Sequence, residues 1–275
     1  MIKNIWPRAG VSLSIVDRLS IMLGALPGFC PICGKPTVFR IIHPNLRENV
    51  ICANCRSINR QRQIAHVMLS SIHGGKPPAT ARIGEFPKDK VVWNLETTRA
   101  LHDHLKARIG DNYIASEFID PSMKSGDTRD GIMHVDLQDT HFADDSIDFI
   151  VHGDILEHMP WPEKAVAEMF RVLKPGGRTI FTVPFYRHRF TNEKRSVIEE
   201  DGSLRHILPE QYHDDPMRPQ DGALVFNIFA PELLCDMEKA GFTARLCQVY
   251  SPFYGILGDN GIVIDAVKPA AGQSM

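Results

Sequence analysis

A spacing of cysteines constrains this chain more than any other feature. Cys30-Pro31-Ile32-Cys33 is followed by eighteen intervening residues and then Cys52-Ala53-Asn54-Cys55. Two thiolates three positions apart across a tight turn can take two corners of a tetrahedron, and a second such pair completes it. The pattern is that of a four-cysteine zinc ribbon with Cys30, Cys33, Cys52 and Cys55 as ligands. Gly34 follows the first pair, where a left-handed turn residue is useful. Two disulfides and unconnected core thiols are the competing readings. Four thiolates leave no open position, so zinc here would be structural. Cys235 and Cys247 lie in apolar contexts and read as core residues. Six cysteines in 275 residues are too few for a disulfide scaffold and point to a reducing, cytoplasmic setting.

Around these cysteines Lys35, Arg40, Arg47, Arg56, Arg60 and Arg62 face a single acid, Glu48, although the whole chain has a formal charge of −2. Overall charge therefore argues against a nucleic-acid binder, while the local patch leaves two readings, a solvated face or an RNA surface. No apolar run is long enough for a membrane helix. Residues 1–27 place Leu13, Val16, Leu19, Leu23 and Leu26 at near-helical spacing, which suits a helix docked on a core or on a dimer partner. The ribbon and the helix after it occupy 28–78. That helix ends at Gly74-Gly75, and Lys76-Pro77-Pro78 reads as a linker to a larger unit, 79–275.

From about residue 90, short β-rich runs alternate with helical periods, the pattern of a mostly parallel sheet covered by helices on both faces. Strands are expected at 91–95, 113–116, 132–135, 147–151, 178–183, 246–250 and 262–267. The clearest helix runs from Glu163 to Leu173 with Val166, Met169, Phe170 and Leu173 inward, and Pro231 opens another. Ligands of such sheets sit beyond the carboxyl ends of the strands, so the residues just after each strand are the candidates.

Those residues carry a resemblance. His134-Val135-Asp136-Leu137, Asp144-Asp145-Ser146-Ile147-Asp148-Phe149-Ile150-Val151, Asp154-Ile155-Leu156-Glu157-His158-Met159-Pro160 and Glu168 through Gly177 (EMFRVLKPGG) are similar to class I S-adenosylmethionine-dependent methyltransferases of the type 11-like group. The ribbon leading through Cys55-Arg56-Ser57 into Arg60-Gln61-Arg62 resembles the bacterial subgroup that joins a zinc ribbon to this domain. The resemblance implies a Rossmann-like, seven-stranded sheet with S-adenosylmethionine as cofactor. It implies that Glu117 accepts from the ribose hydroxyls, a task suited to a group that only accepts, and that Asp136 and Leu137 cover the adenine. The glycine-rich loop usual after the first strand is absent from Leu95-Glu96-Thr97-Thr98-Arg99. In its place the hydroxyls of Thr97 and Thr98 and a helix amino end can meet the cofactor carboxylate. Glu96 can approach the ammonium or simply cap the helix, and Gly153, beside Asp154, can supply the close approach the first loop lacks.

The methyl acceptor is less legible. Histidines near strand ends are candidate bases: His158 first, then His152, His188, His206 and His213. Residues 185–230 form a long polar connection placed over the site, holding several cations with Tyr212 and His213 as contacts; this suits an anionic or sugar-like acceptor. The leading expectation is O- or N-methylation of a small-molecule or saccharide acceptor. The alternatives are an RNA methyltransferase using the basic ribbon and a non-catalytic binding or scaffold protein.

Overall fold

The structure, a computed structural model, describes residues 13–43, 45–215, 217, 220–259, 261–270 and 272. Twelve positions of the expected 1–27 helix lie outside them. Helix α1 (Ile15–Leu23) starts on a Ser14 capping box with Asp17 and ends at left-handed Gly24. Its buried residues are Asp17 and Ser20. Asp17 Oδ1 accepts from the Gly258 amide, while Ile15, Val16, Leu19, Met22 and Leu23 face outward. The helix docks on its own chain through Asp17, Ser20 and Ile21, and of the two expected dockings its Val16, Leu19 and Leu23 stripe does not meet the core.

Strands β1 (Ala25–Cys30), β2 (Lys35–Arg40) and β3 (Ile51–Cys52) form an antiparallel meander that carries both cysteine pairs. The two knuckles are alike. The Gly34 amide donates to Cys30 O with φ 68°, and the Arg56 amide donates to Cys52 O with φ 63°. Helix α2 (Asn59–Ile72) then runs beneath the large sheet.

That sheet has eight strands in the order β16-β17-β9-β8-β4-β5-β7-β6. Its centre is parallel: β4 (Val92–Asn94), β5 (Tyr113–Glu117), β7 (Ile132–His134), β8 (Ile147–Gly153) and β9 (Leu173–Thr182). Strand β17 (Ile262–Val267) is antiparallel to both β9 and β16 (Thr243–Gln248). Seven of these strands fall where the alternating pattern expects them. The eighth, β6 (Thr128–Arg129), is a hairpin partner of β7 closed by Asp130 (φ 53°) and Gly131 (φ 78°). An Asp-Gly pair with both residues left-handed is the turn that matches strand twist.

Helices α2 and α3 (Arg99–Ile109) cover one face; α4 (Pro162–Val172) and α5 (Glu232–Lys239) cover the other. The ribbon is not a detached bead. Phe29, Phe39, Cys30 and Cys52 share one core with Ile64 and Met68 of α2, Leu101 of α3, Val92, Val151, Ile180 and Val263. The connection 185–230 contributes three small antiparallel pairs: β10 (Glu193–Lys194) with β15 (Asn227–Ile228), β11 (Ser196–Ile198) with β12 (Leu204–His206), and β13 (Tyr212–His213) with β14 (Ala223–Leu224).

Candidate active site

A cleft of about 1820 Å³ opens at the carboxyl ends of β4, β5, β7 and β8. Glu96, Thr98, Glu117, Asp136, Leu137, Gly153, Asp154, His158, Tyr212 and His213 all line it. The acids at the two successive strand ends thus share one cavity, as the sequence leads one to expect.

The loop after β4 is shaped by side chains instead of glycines. Asn94 Nδ2 donates to Glu96 O (2.9 Å) and to Tyr113 Oη (2.9 Å), drawing the loop across β5. Thr97 gives its amide (2.7 Å) and hydroxyl (2.8 Å) to Glu117 Oε1. Thr97 is not part of the cleft wall; it positions Glu117 and does not face a cofactor carboxylate. Burial raises the Glu117 carboxyl above its ordinary range despite these two donors. Thr98 is the N-cap of α3 without a side-chain capping bond. Arg99 takes the left-handed conformation (φ 72°) that a glycine usually supplies, and it lies in the cleft wall between Glu48 (3.6 Å) and Glu96 (4.0 Å). Burial pushes the Glu96 carboxyl up, against the pull of Arg60 and Arg99. At the third strand, Asp136 Oδ1 accepts from the Gln138 amide (2.9 Å), and Leu137 is buried.

Gly153 and Asp154 do something other than expected. A Cβ at 153 would run into Nη1 of Arg60, so the missing side chain makes room for a ribbon arginine. Asp154, left-handed at φ 57°, forms a two-pronged ion pair with Arg47, lies 3.6 Å from Arg60 and accepts from Thr182 Oγ1 (3.0 Å). Burial alone would raise its carboxyl; Arg47 and Arg60 outweigh burial and hold it well below the carboxylate range. Asp154 fastens the ribbon to the sheet. It is not placed as a free cofactor contact.

The same geometry removes half of the supposed basic surface, leaving Lys35, Arg40 and Arg56 exposed. Arg47, Arg60 and Arg62 are buried, and Arg62 donates to the carbonyls of Val50, Ser57, Tyr254 and Gly255. Nor do the described arginines of 185–230 point to an anionic acceptor. Arg187 pairs with Asp259, Arg189 and Arg195 with Glu193, and Arg205 with Glu199, while Tyr212, His213, Asp214, Asp215 and Asp221 line the cleft.

Of the candidate bases, His158 and His213 come together, their rings 5.0 Å apart, beside Glu157. Glu157 has no motif signal of its own beyond lying next to His158. Tyr212 is half exposed and donates to Glu210 (3.1 Å), away from that cluster. His152 is buried and stacks on Phe181, and burial lowers its pKa to about 3; His188 and His206 are absent from the cleft wall.

The four ribbon thiols converge, with all ligand atoms within 4.8 Å of one another, Cys30 to Cys55 at 3.7 Å and Cys33 to Cys52 at 4.0 Å. Sulfurs about 2.3 Å from a tetrahedral zinc stand about 3.8 Å apart, and none of the four is disulfide-bonded. The donor set fits a zinc ion.

Known proteins resemble this chain over its central part. Residues 97–181 match the family described as Methyltransferase domain. An uncharacterized methyltransferase of Mycobacterium marinum is 29% identical over 112 residues, 40% of this chain and 44% of that protein. A demethylmenaquinone methyltransferase of Clavibacter sepedonicus is 30% identical over 112 residues, 32% of this chain and 46% of that one. The chain thus spans less than half the length of these curated relatives. Among solved structures, an S-adenosylmethionine-dependent methyltransferase from Mesorhizobium loti aligns with TM-score 0.41 at 14% identity, over 66% of this chain and 93% of the other. No helix among the described residues is long and apolar enough to cross a membrane.

Proposed function

We propose that the protein is an S-adenosylmethionine-dependent methyltransferase with a structural zinc in its ribbon. The carrying observation is that Glu117, Asp136, Leu137, Glu96, Thr98 and Arg99 line one cleft at the strand ends, within and beside the segment that matches a methyltransferase domain.

The cofactor supplies an electrophilic methyl group on a sulfonium. Glu117, fixed by Thr97, would accept from its ribose hydroxyls; Asp136 and Leu137 would hold the adenine. Arg99 and Glu96 would meet the carboxylate and ammonium of its amino-acid end. The protein's own contribution is alignment of nucleophile, carbon and sulfur, the main source of acceleration in such a displacement. The zinc, held by Cys30, Cys33, Cys52 and Cys55, would fix the fold and take no part in transfer.

The wall opposite the strand ends, with Tyr212, His213, Asp214, Asp215 and Asp221, favours a small hydroxylated or saccharide acceptor over an anionic one, since carboxylates accept from hydroxyls and repel anions. The Glu157–His158–His213 cluster would receive or polarise the reacting group. An RNA acceptor loses its main support with Arg47, Arg60 and Arg62 buried.

Calorimetry with S-adenosylmethionine and S-adenosylhomocysteine tests the reading. Both should bind, and Glu117→Ala should weaken each by about 1–3 kcal/mol, the scale of hydrogen bonds to a charged group. Unchanged affinity removes Glu117 from the site; no heat from either ligand leaves the scaffold reading in front.

A further inference from the structure

We propose that Glu157, His158 and His213 form a second metal site, distinct from the four thiols, for a divalent first-row transition ion. Their ligand atoms lie within 4.8 Å of one another. Glu157 Oε1 is 3.5 Å from His158 Nε2 and 3.4 Å from His213 Nδ1. An ion bonded to nitrogen and oxygen at about 2.0–2.2 Å holds neighbouring ligand atoms roughly 3.0–3.5 Å apart.

The carboxylate itself asks for a cation. Glu157 is 0% exposed, and neither of its carboxylate oxygens receives a hydrogen bond. A bare buried carboxylate is strongly unfavourable, and such groups are found paired or coordinating a metal. Beside it stand the two imidazoles, at distances longer than ordinary hydrogen bonds but right for sharing an ion.

The surroundings orient the ligands. His158 Nδ1 lies 2.8 Å from Leu224 O, so that nitrogen donates to the carbonyl and Nε2 is the atom turned toward Glu157. A ring nitrogen tied to a carbonyl is the usual outer support of a metal-bound histidine. His213 pairs with Ala223 and Tyr212 with Leu224 across one hairpin, so that hairpin supplies both a ligand and the supporting carbonyl. Gly222 permits the two strands to approach closely: it is left-handed (φ 69°), and a Cβ there would stand 2.7 Å from His213 O.

Two imidazoles and a carboxylate suit zinc, manganese or ferrous iron, whereas the softer thiolate set is already grouped in the ribbon. Three protein ligands leave at least one coordination position open, and His158 and His213 both line the cleft. That an acceptor oxygen would occupy the open position rests on the methyltransferase reading; the metal site rests on its own geometry.

The test is metal stoichiometry on the full chain with the ribbon zinc in place. Titration with Co²⁺ should add one equivalent whose absorption shows d–d bands without thiolate charge transfer. His213→Ala and Glu157→Gln should each lose that equivalent, weakening Co²⁺ by about 100-fold or more, the upper end of what outer-support mutations cost. Both variants should keep the thiolate-bound metal and a cooperative thermal transition. If one fails to fold, the other carries the same reading. Wild-type protein that takes metal only at the thiols overturns the proposal. So does undiminished Co²⁺ affinity in either folded variant. Neither readout uses methyl transfer, and S-adenosylhomocysteine calorimetry on the same samples reports separately on the cofactor cleft.

Discussion

The two faces of the large sheet are packed by different means. Under α4 and α5 the interface is dry: Val166, Met169, Phe181, Leu233, Met237 and Phe242 interdigitate with Ile150 and Ile264. Under α2 the apolar core is threaded with buried polar groups, Asn59, Arg60, Gln61, Arg62 and Gln63 in succession. Burying a guanidinium is costly unless every donor finds an acceptor, so this face must be specified by hydrogen bonds, not by volume alone. Arg62 gathers carbonyls from the ribbon (Val50, Ser57) and from a distant loop (Tyr254, Gly255); Arg60 and Arg47 converge on Asp154. The polar face is therefore also the seam between ribbon and cleft. A dry face tolerates change of shape, and a hydrogen-bonded seam does not.

A pair of near-isosteric substitutions exposes the difference most sharply. Leu233→Met on the dry face should cost less than about 1.5 kcal/mol, because volume and apolarity are nearly kept. Arg62→Met keeps a similar length and apolar stem yet leaves the buried carbonyls of Val50, Tyr254 and Gly255 without the guanidinium donor, and should cost about 3–5 kcal/mol. Denaturant midpoints of the two variants, read at equal m-values, measure this directly. A loss under about 1 kcal/mol for Arg62→Met would mean that the seam relaxes like an ordinary apolar core, and the contrast would be gone.

The dry face has its own titratable side chain, and pH separates the faces next. His152 is buried against Phe181 and its pKa is lowered to about 3 by burial. An unfolded histidine titrates near about 6.5. Below that value the unfolded chain binds the proton and the native chain does not. The stabilising contribution is therefore complete above about pH 6.5 and is lost progressively as pH falls toward 3. His152→Phe, which preserves the stacked ring, should leave stability at neutral pH nearly unchanged. Between about pH 6 and 4 it should flatten the acid slope by up to about 1.4 kcal/mol per pH unit. Urea midpoints over that range decide it; an unchanged slope would show that His152 takes up its proton in the native state.

What the sequence reveals follows the same division. The dry face is legible because hydrophobic period is local: Val166, Met169 and Phe170 announce α4 from within one helix. The strand-end acids are legible because a parallel sheet fixes where its ligands bind, and Glu117 and Asp136 do share a cleft. The seam is not legible. Whether Arg62 is solvated or buried depends on carbonyls nearly two hundred positions away, and a basic run looks the same in either case. Gly153 fits a cofactor approach as well as it fits an arginine until Arg60 is seen above it. Helix α1 is legible as a helix, but which side meets its own chain is not, because Asp17, tied to Ser14 and Gly258, sets it. Two signals were available to a closer reading. Asp130-Gly131 marks the hairpin that adds β6, and Glu157 beside His158 places a carboxylate one residue from the leading candidate base.

The smallest expected effect lies inside the seam's cysteine-bearing end, where two equivalent turns carry unequal residues. Gly34 and Arg56 each follow a cysteine pair, each donates an amide to the first cysteine of that pair, and both are left-handed. Glycine takes that conformation freely, whereas an L-residue with a Cβ is disfavoured there by about 1–2 kcal/mol. Arg56→Gly removes that strain but adds freedom to the unfolded chain worth about 0.5–1 kcal/mol. The balance predicts stabilisation of about 0.5–1 kcal/mol, read as a small rise in denaturant midpoint with metal bound. The opposite exchange, Gly34→Ala, should destabilise by more, since a Cβ at 34 also collides with the Arg82 side chain. If Arg56→Gly instead lowers stability, the Arg56 side chain at the cleft margin contributes more than its backbone strain costs, and the second knuckle is tuned for the cleft as well as for the ribbon.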